Sequence, residues 1–142
     1  MKKTILLLTA SLLTSMAFAQ KIASTKIPGE VKESFKKAYP GTQASWEKEG
    51  KDFEANFKAS GKTMSVLIDH SGGILETETV MAISDLPAPA KDYLDTHYKG
   101  KHPSEVSKTE KKDGQQFFEV IINGKELVFD TSGKLKEKGK KD

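Results

Sequence analysis

The 142-residue chain has no cysteine, no arginine and one tryptophan, and only 8% of its residues are aromatic. Without cysteine there is neither a disulfide framework nor a thiolate metal site, so sheet and core packing must hold any fold. Without arginine, the planar fork that grips phosphates and base edges is missing, which argues against nucleic acid as a partner. Past the first apolar run, no stretch approaches the roughly 20 residues that span a bilayer, which argues against stable membrane insertion. Also missing are His-Glu-x-x-His, Gly-x-Ser-x-Gly and a glycine-rich phosphate loop. His70, His97 and His102 form no ligand spacing and read as ordinary exposed histidines. Nothing in the sequence asks for an enzyme.

The chain opens on Lys2 and Lys3, an apolar run from Ile5 to Leu13, and Ala17-Phe18-Ala19 ahead of Gln20. That order is a secretory signal over residues 1–19, cleaved near Ala19-Gln20 to give a periplasmic or secreted product. Removing Lys2 and Lys3 leaves 21 lysines against 20 acidic residues, so the mature chain is nearly neutral. The lysine-rich tail, Lys134 to Lys141, reads as a solvated terminus.

What is present is duplication. Ile27-Pro28, Val31-Lys32, Phe35, Tyr39 and Gly41 recur as Leu86-Pro87, Ala90-Lys91, Leu94, Tyr98 and Gly100. Asp69-x-Ser71-Gly72-x-Ile74 recurs as Asp130-x-Ser132-Gly133-x-Leu135. A nearly constant period indicates two copies of one supersecondary unit. Each copy is too small to bury a sufficient core alone, so the two are expected to fold together.

Val31, Phe35, Ala38 and Tyr39 lie on one helical stripe, and Pro40-Gly41 ends it. In the second copy Ser84 or Asp85 is the expected cap, Pro87 and Pro89 open the helix, and Ala90, Leu94 and Tyr98 form the stripe. Strands follow over 44–49 and 52–60, where Phe53, Ala55, Phe57 and Ala59 alternate with polar residues. Gly50-Lys51, Gly61-Lys62, Asp113-Gly114 and Asn123-Gly124 supply hairpin turns. The expected class is α+β: a tandem repeat of one helix plus a three- to four-stranded antiparallel β-meander, helices on one face. The boundaries are 20–83 for the first repeat and 84–142 for the second with its tail.

Leu86-Pro87, Tyr98, Phe118-Glu119-Val120, Asn123-Gly124-Lys125 and Phe129-Asp130-x-x-Gly133 carry a family resemblance. With their counterparts in the first copy, they resemble the PepSY-like, beta-lactamase-inhibitor-like family of periplasmic proteins across most of the mature chain. The resemblance implies paired helix-plus-sheet units with one sheet face free. In the beta-lactamase inhibitor protein, that face and its loops hold a protein partner. PepSY-type domains are associated with restraining proteases.

Pleat alternation places Leu67, Phe117, Ile121 and Val128 opposite the inward rows, on a face that one helix per copy leaves uncovered. Interleaved with Glu54, Lys58 and Glu119, they are the candidate partner-binding residues. The competing reading has these strands covered by the other copy or a dimer mate. Asp69 and Asp130 begin equivalent turns and are the candidate calcium ligands, although Asp-x-Ser-Gly is also what a tight turn requires. Trp46 suits an interface anchor or a core position under the first helix. The functional expectation is a non-enzymatic periplasmic module that binds a protein or peptide through its open face, without a resident cofactor. A calcium or small-ligand sensor using the Asp turns is the alternative.

Overall fold

The computed structural model describes residues 20–140, so the signal-peptide expectation lies outside the described residues. Two helices form where the apolar stripes are, α1 over Gly29–Ala38 and α2 over Ala88–His97. The expected cap of the second is corrected. Ser84 and Asp85 lie in a separate 3-10 turn over Ile83–Asp85, and Pro87 occupies the cap position without a side-chain hydrogen bond. Proline fixes the φ of the entry, so helix direction is set by backbone geometry instead of a capping side chain.

The strands are β1 (Gln20–Ile22), β2 (Ala44–Glu49), β3 (Asp52–Ala59), β4 (Lys62–Ile68) and β5 (Ile74–Val80), then β6 (Glu105–Lys111), β7 (Gln116–Ile122), β8 (Lys125–Asp130) and β9 (Leu135–Lys140). Every strand pairs antiparallel with its successor in one nine-stranded sheet, ordered β1 to β9. The β3–β4 turn is Ser60-Gly61, one residue earlier than its expected place, and Ala59 pairs with Lys62. Asn123-Gly124 makes the matching turn in the second half, again with positive φ at both residues.

This continuous sheet overturns the expected fold class. The molecule is not a tandem repeat of a helix with its own small meander, because β5 pairs with β6 across the expected boundary. The physical reason lies in β1, which the sequence reading missed. Ile22 pairs with Trp46 just before the first 3-10 turn. Met81 holds the corresponding place before the second turn, its N–H donating to the Val106 carbonyl at 2.9 Å. β5 therefore closes the first set of strands and also serves the second as β1 serves the first. Ending each meander at its own edge would leave rows of backbone donors and acceptors unpaired.

Both helices lie on the same sheet face. Val31 and Phe35 pack with Trp46, Phe53, Ala55, Phe57, Val66 and Ile68. Ala90, Leu94 and Tyr98 pack with Val106, Val120, Ile122, Leu127 and Phe129. Trp46 is thus a core residue, edge-on to Phe35 at a centroid distance of 5.4 Å. Between the two cores neither helix covers the sheet, and the row turns polar at Thr77, Thr79, Lys108 and Glu110. These side chains line a groove of about 480 Å³ with Lys62, Met81 and Asp85.

Candidate functional site

Strand alternation sends the residues between the core rows to the other face, which neither α1 nor α2 covers. The register places Leu67 there, between Glu54 and Glu76. Phe117 stands between Thr109 and Asp130, Ile121 between Glu105 and Glu126, and Val128 between Glu119 and Glu137. Phe117, Ile121 and Val128 adjoin on β7 and β8, whereas Leu67 sits on β4, three strands from β7. Ile121 is 9% exposed, and the other three are half-buried among longer polar neighbours.

The charges on this face form a pattern that residue-by-residue reading missed. On β2, β3 and β5 it carries Glu47, Glu49, Asp52, Glu54, Glu76 and Glu78. On β6 to β9 it carries Glu105, Glu119, Glu126, Asp130 and Glu137. Among the described residues the register sets three lysines on it, Lys21, Lys58 and Lys111. A chain with nearly equal numbers of the two signs is therefore electrostatically one-sided. The signal was available in strand parity, had charge been counted by face and not along the chain.

On this face, acidic residues stand directly opposite each other at Glu47 across from Glu54 and at Glu49 across from Asp52. Burial pushes the Glu54 carboxyl up, with Glu49, Glu47 and Glu78 adding to the rise and a Ser65 hydrogen bond opposing it. Burial also raises Glu76, against the pull of Lys111 and with Glu78, Glu49 and Glu54 reinforcing it. Glu49 is raised by burial first and then by Asp52, Glu47 and Glu78. Lys111 marks the border between the acidic and apolar zones, its Nζ 5.1 Å from the centroid of the Phe117 ring.

Asp69 and Asp130 are placed at the tips of the β4–β5 and β8–β9 connections. Asp69 Oδ1 accepts from the Ser71 N–H at 2.9 Å, the Ser71 hydroxyl at 2.6 Å and the Gly73 N–H at 2.9 Å. Asp130 Oδ1 accepts equivalently from the Ser132 N–H and hydroxyl and the Lys134 N–H. These bonds, the serine hydroxyl foremost, hold both carboxyls below the usual carboxylate range. The two aspartates belong to separate turns, and among the described residues no group of three or more His, Asp or Glu is placed to hold a metal ion. His70, His97 and His102 are exposed.

No protein-family model matches the chain, and no curated protein matches it either. Solved structures do. A BLIP-like protein from Bacteroides fragilis is 24% identical, with a TM-score of 0.63 over 80% of this chain and 86% of that one. A DUF2874 family protein from Bacteroides uniformis is 17% identical, with a TM-score of 0.70 over 80% and 88%. A protein from Bacteroides eggerthii, provisionally assigned to the periplasm, is 15% identical with a TM-score of 0.72 over the same shares. At these identities the likeness is one of fold. It reaches BLIP-like and DUF2874 proteins and does not extend to the PepSY part of the resemblance. No helix among the described residues is long and apolar enough to cross a membrane.

Proposed function

We propose that this periplasmic protein is a non-enzymatic binding module that holds a protein or peptide partner on its open sheet face. The observation that carries this reading is the face itself. Eight inter-strand ladders fix it as one rigid surface, and Phe117, Ile121 and Val128 adjoin on it beside charged neighbours. A rigid platform loses little entropy on binding, and a small apolar centre with a polar rim is the usual anatomy of a non-obligate interface. The mechanism is steric occlusion: the strands present the apolar patch, and the hairpin loops at the sheet ends choose the target. The likeness to a BLIP-like protein supports an inhibitory or regulatory role.

Affinity capture from the periplasm of the source bacterium tests this, with wild-type protein beside Phe117→Glu and matched runs with and without calcium. The expected result is one protein retained by wild type and lost with Phe117→Glu, while both baits melt at similar temperatures. Retention by both baits moves the contact off this face. Empty captures under every condition, with both baits folded, would count against a protein partner.

A further inference from the structure

We infer that the open face selects a cationic polypeptide, one that sets lysine or arginine side chains over β2–β5 and an apolar side chain over Phe117, Ile121 and Val128. This rests on the open-face reading and adds the chemistry of the occupant. Stability alone does not account for the pattern. Like charges directly opposite on neighbouring strands cost stability, yet this face keeps Glu47 against Glu54 and Glu49 against Asp52. A near-neutral chain had lysines to intersperse and places most of them elsewhere. One-sided charge of this kind speeds encounter with an oppositely charged partner and rejects like-charged ones.

Two oxygens on this face also lack partners among the described residues. Asp52 Oδ1 is buried without a donor beside Glu49. Thr109 is 0% exposed with its Oγ1 unpaired, and it stands in the cross-strand row between Glu78 and Phe117. Buried polar atoms without partners are rare, and these two flank the acidic zone. Lys111 shows the expected contact in miniature. One cation draws on the Glu76 carboxylate and lies over the Phe117 ring, so carboxylate and aromatic face grip it together. A partner's lysine or arginine over Glu54 would extend that arrangement to a carboxylate whose cross-strand neighbours are Glu47 and Leu67, with no cation across from it.

The test is calorimetric titration of the protein purified from the periplasm with three synthetic ten-residue peptides: alternating Lys-Leu, Glu-Leu and Lys-Ser. The Lys-Leu peptide is expected to bind about tenfold more tightly than Lys-Ser, and Glu-Leu not to bind. Raising the salt should weaken Lys-Leu binding, as screening requires. The double substitution Glu54→Gln/Glu76→Gln should weaken it about tenfold. Equal binding of Glu-Leu, an unchanged double variant, or no binding of Lys-Leu each overturns the cationic selection. Those outcomes leave the open-face reading standing if Phe117→Glu still abolishes capture of the natural partner; loss of that effect fails the open-face reading instead. Sedimentation of the protein alone is expected to show a monomer. A dimer that excludes the Lys-Leu peptide would make the occupant a second copy and overturn the proposal.

Discussion

Gly72 and Gly133 show how much a single missing side chain can carry. Both take positive φ in the Asp-x-Ser-Gly turns, where the backbone also presses against a helix. A Cβ on Gly133 would meet the Ala90 nitrogen and the Pro87 Cβ at 2.9 Å, and one on Gly72 would meet the Glu30 carbonyl oxygen at 2.9 Å. The turn was legible in the sequence, because aspartate and glycine at that spacing satisfy it locally. Its contact with the helix was not, since that depends on where the helix packs. Gly133→Ala is therefore expected to cost about 2–4 kcal/mol, combining backbone strain with displacement of α2. Gly41→Ala also has positive φ but meets nothing within 4 Å, and should cost about 1 kcal/mol. Urea titration of both variants checks the difference, and equal losses would remove the role given to the helix contact. Trp46 teaches the same lesson from the other side: composition left two roles open, and packing with Phe35 under α1 chose the core.

At the scale of elements, the hairpins were the most readable part of the chain. Asn123-Gly124 turns where local chemistry says it must, and the inward rows Phe53-Ala55-Phe57 and Phe118-Val120-Ile122 follow from strict alternation. What sequence could not supply was which edges would meet. β1 has only three residues, too few for a periodic signal, and β5 reads as the end of one copy while also serving the next. Giving each copy a small meander of its own follows from reading repeats along the chain, and hydrogen-bond demand at the β5 edge overrides it. Glu78 pairs with Ser65 on one side and Thr109 on the other. Glu78→Pro is thus expected to destabilise by roughly 3 kcal/mol or more, since proline removes a ladder donor from a central strand. Trp46 fluorescence, which reports the first core, and far-UV circular dichroism should lose their native signals in one coincident transition. Two separated transitions would show the halves to be independent.

For the whole molecule the governing feature is charge sided by face. Glu49, Glu54 and Glu76 sit above the ordinary value of 4.5, so the folded state holds their protons more tightly than the unfolded chain does. Stability then falls as pH rises through the window from 4.5 to their folded values, and acidifying from neutrality should raise the melting temperature. Asp69 and Asp130 act oppositely, being held below 3.8, and their contribution is lost as pH drops further. A stability maximum in mildly acidic solution follows. Glu54→Gln should raise the melting temperature at pH 7 and do so less at pH 4.5. A melting temperature that climbs steadily from pH 4.5 to 8 would refute this ordering. The acidic face was the least legible part of the sequence, because net charge near zero conceals segregation that only the strand register reveals.

The most direct measurement places a photo-crosslinking amino acid at position 117 on the open face, and separately at Lys36 on α1, in living cells. A discrete crosslinked product of defined mass is expected from position 117 and none from position 36. A product from position 36 alone, or the same product from both, would contradict the assignment of the open face as the partner surface.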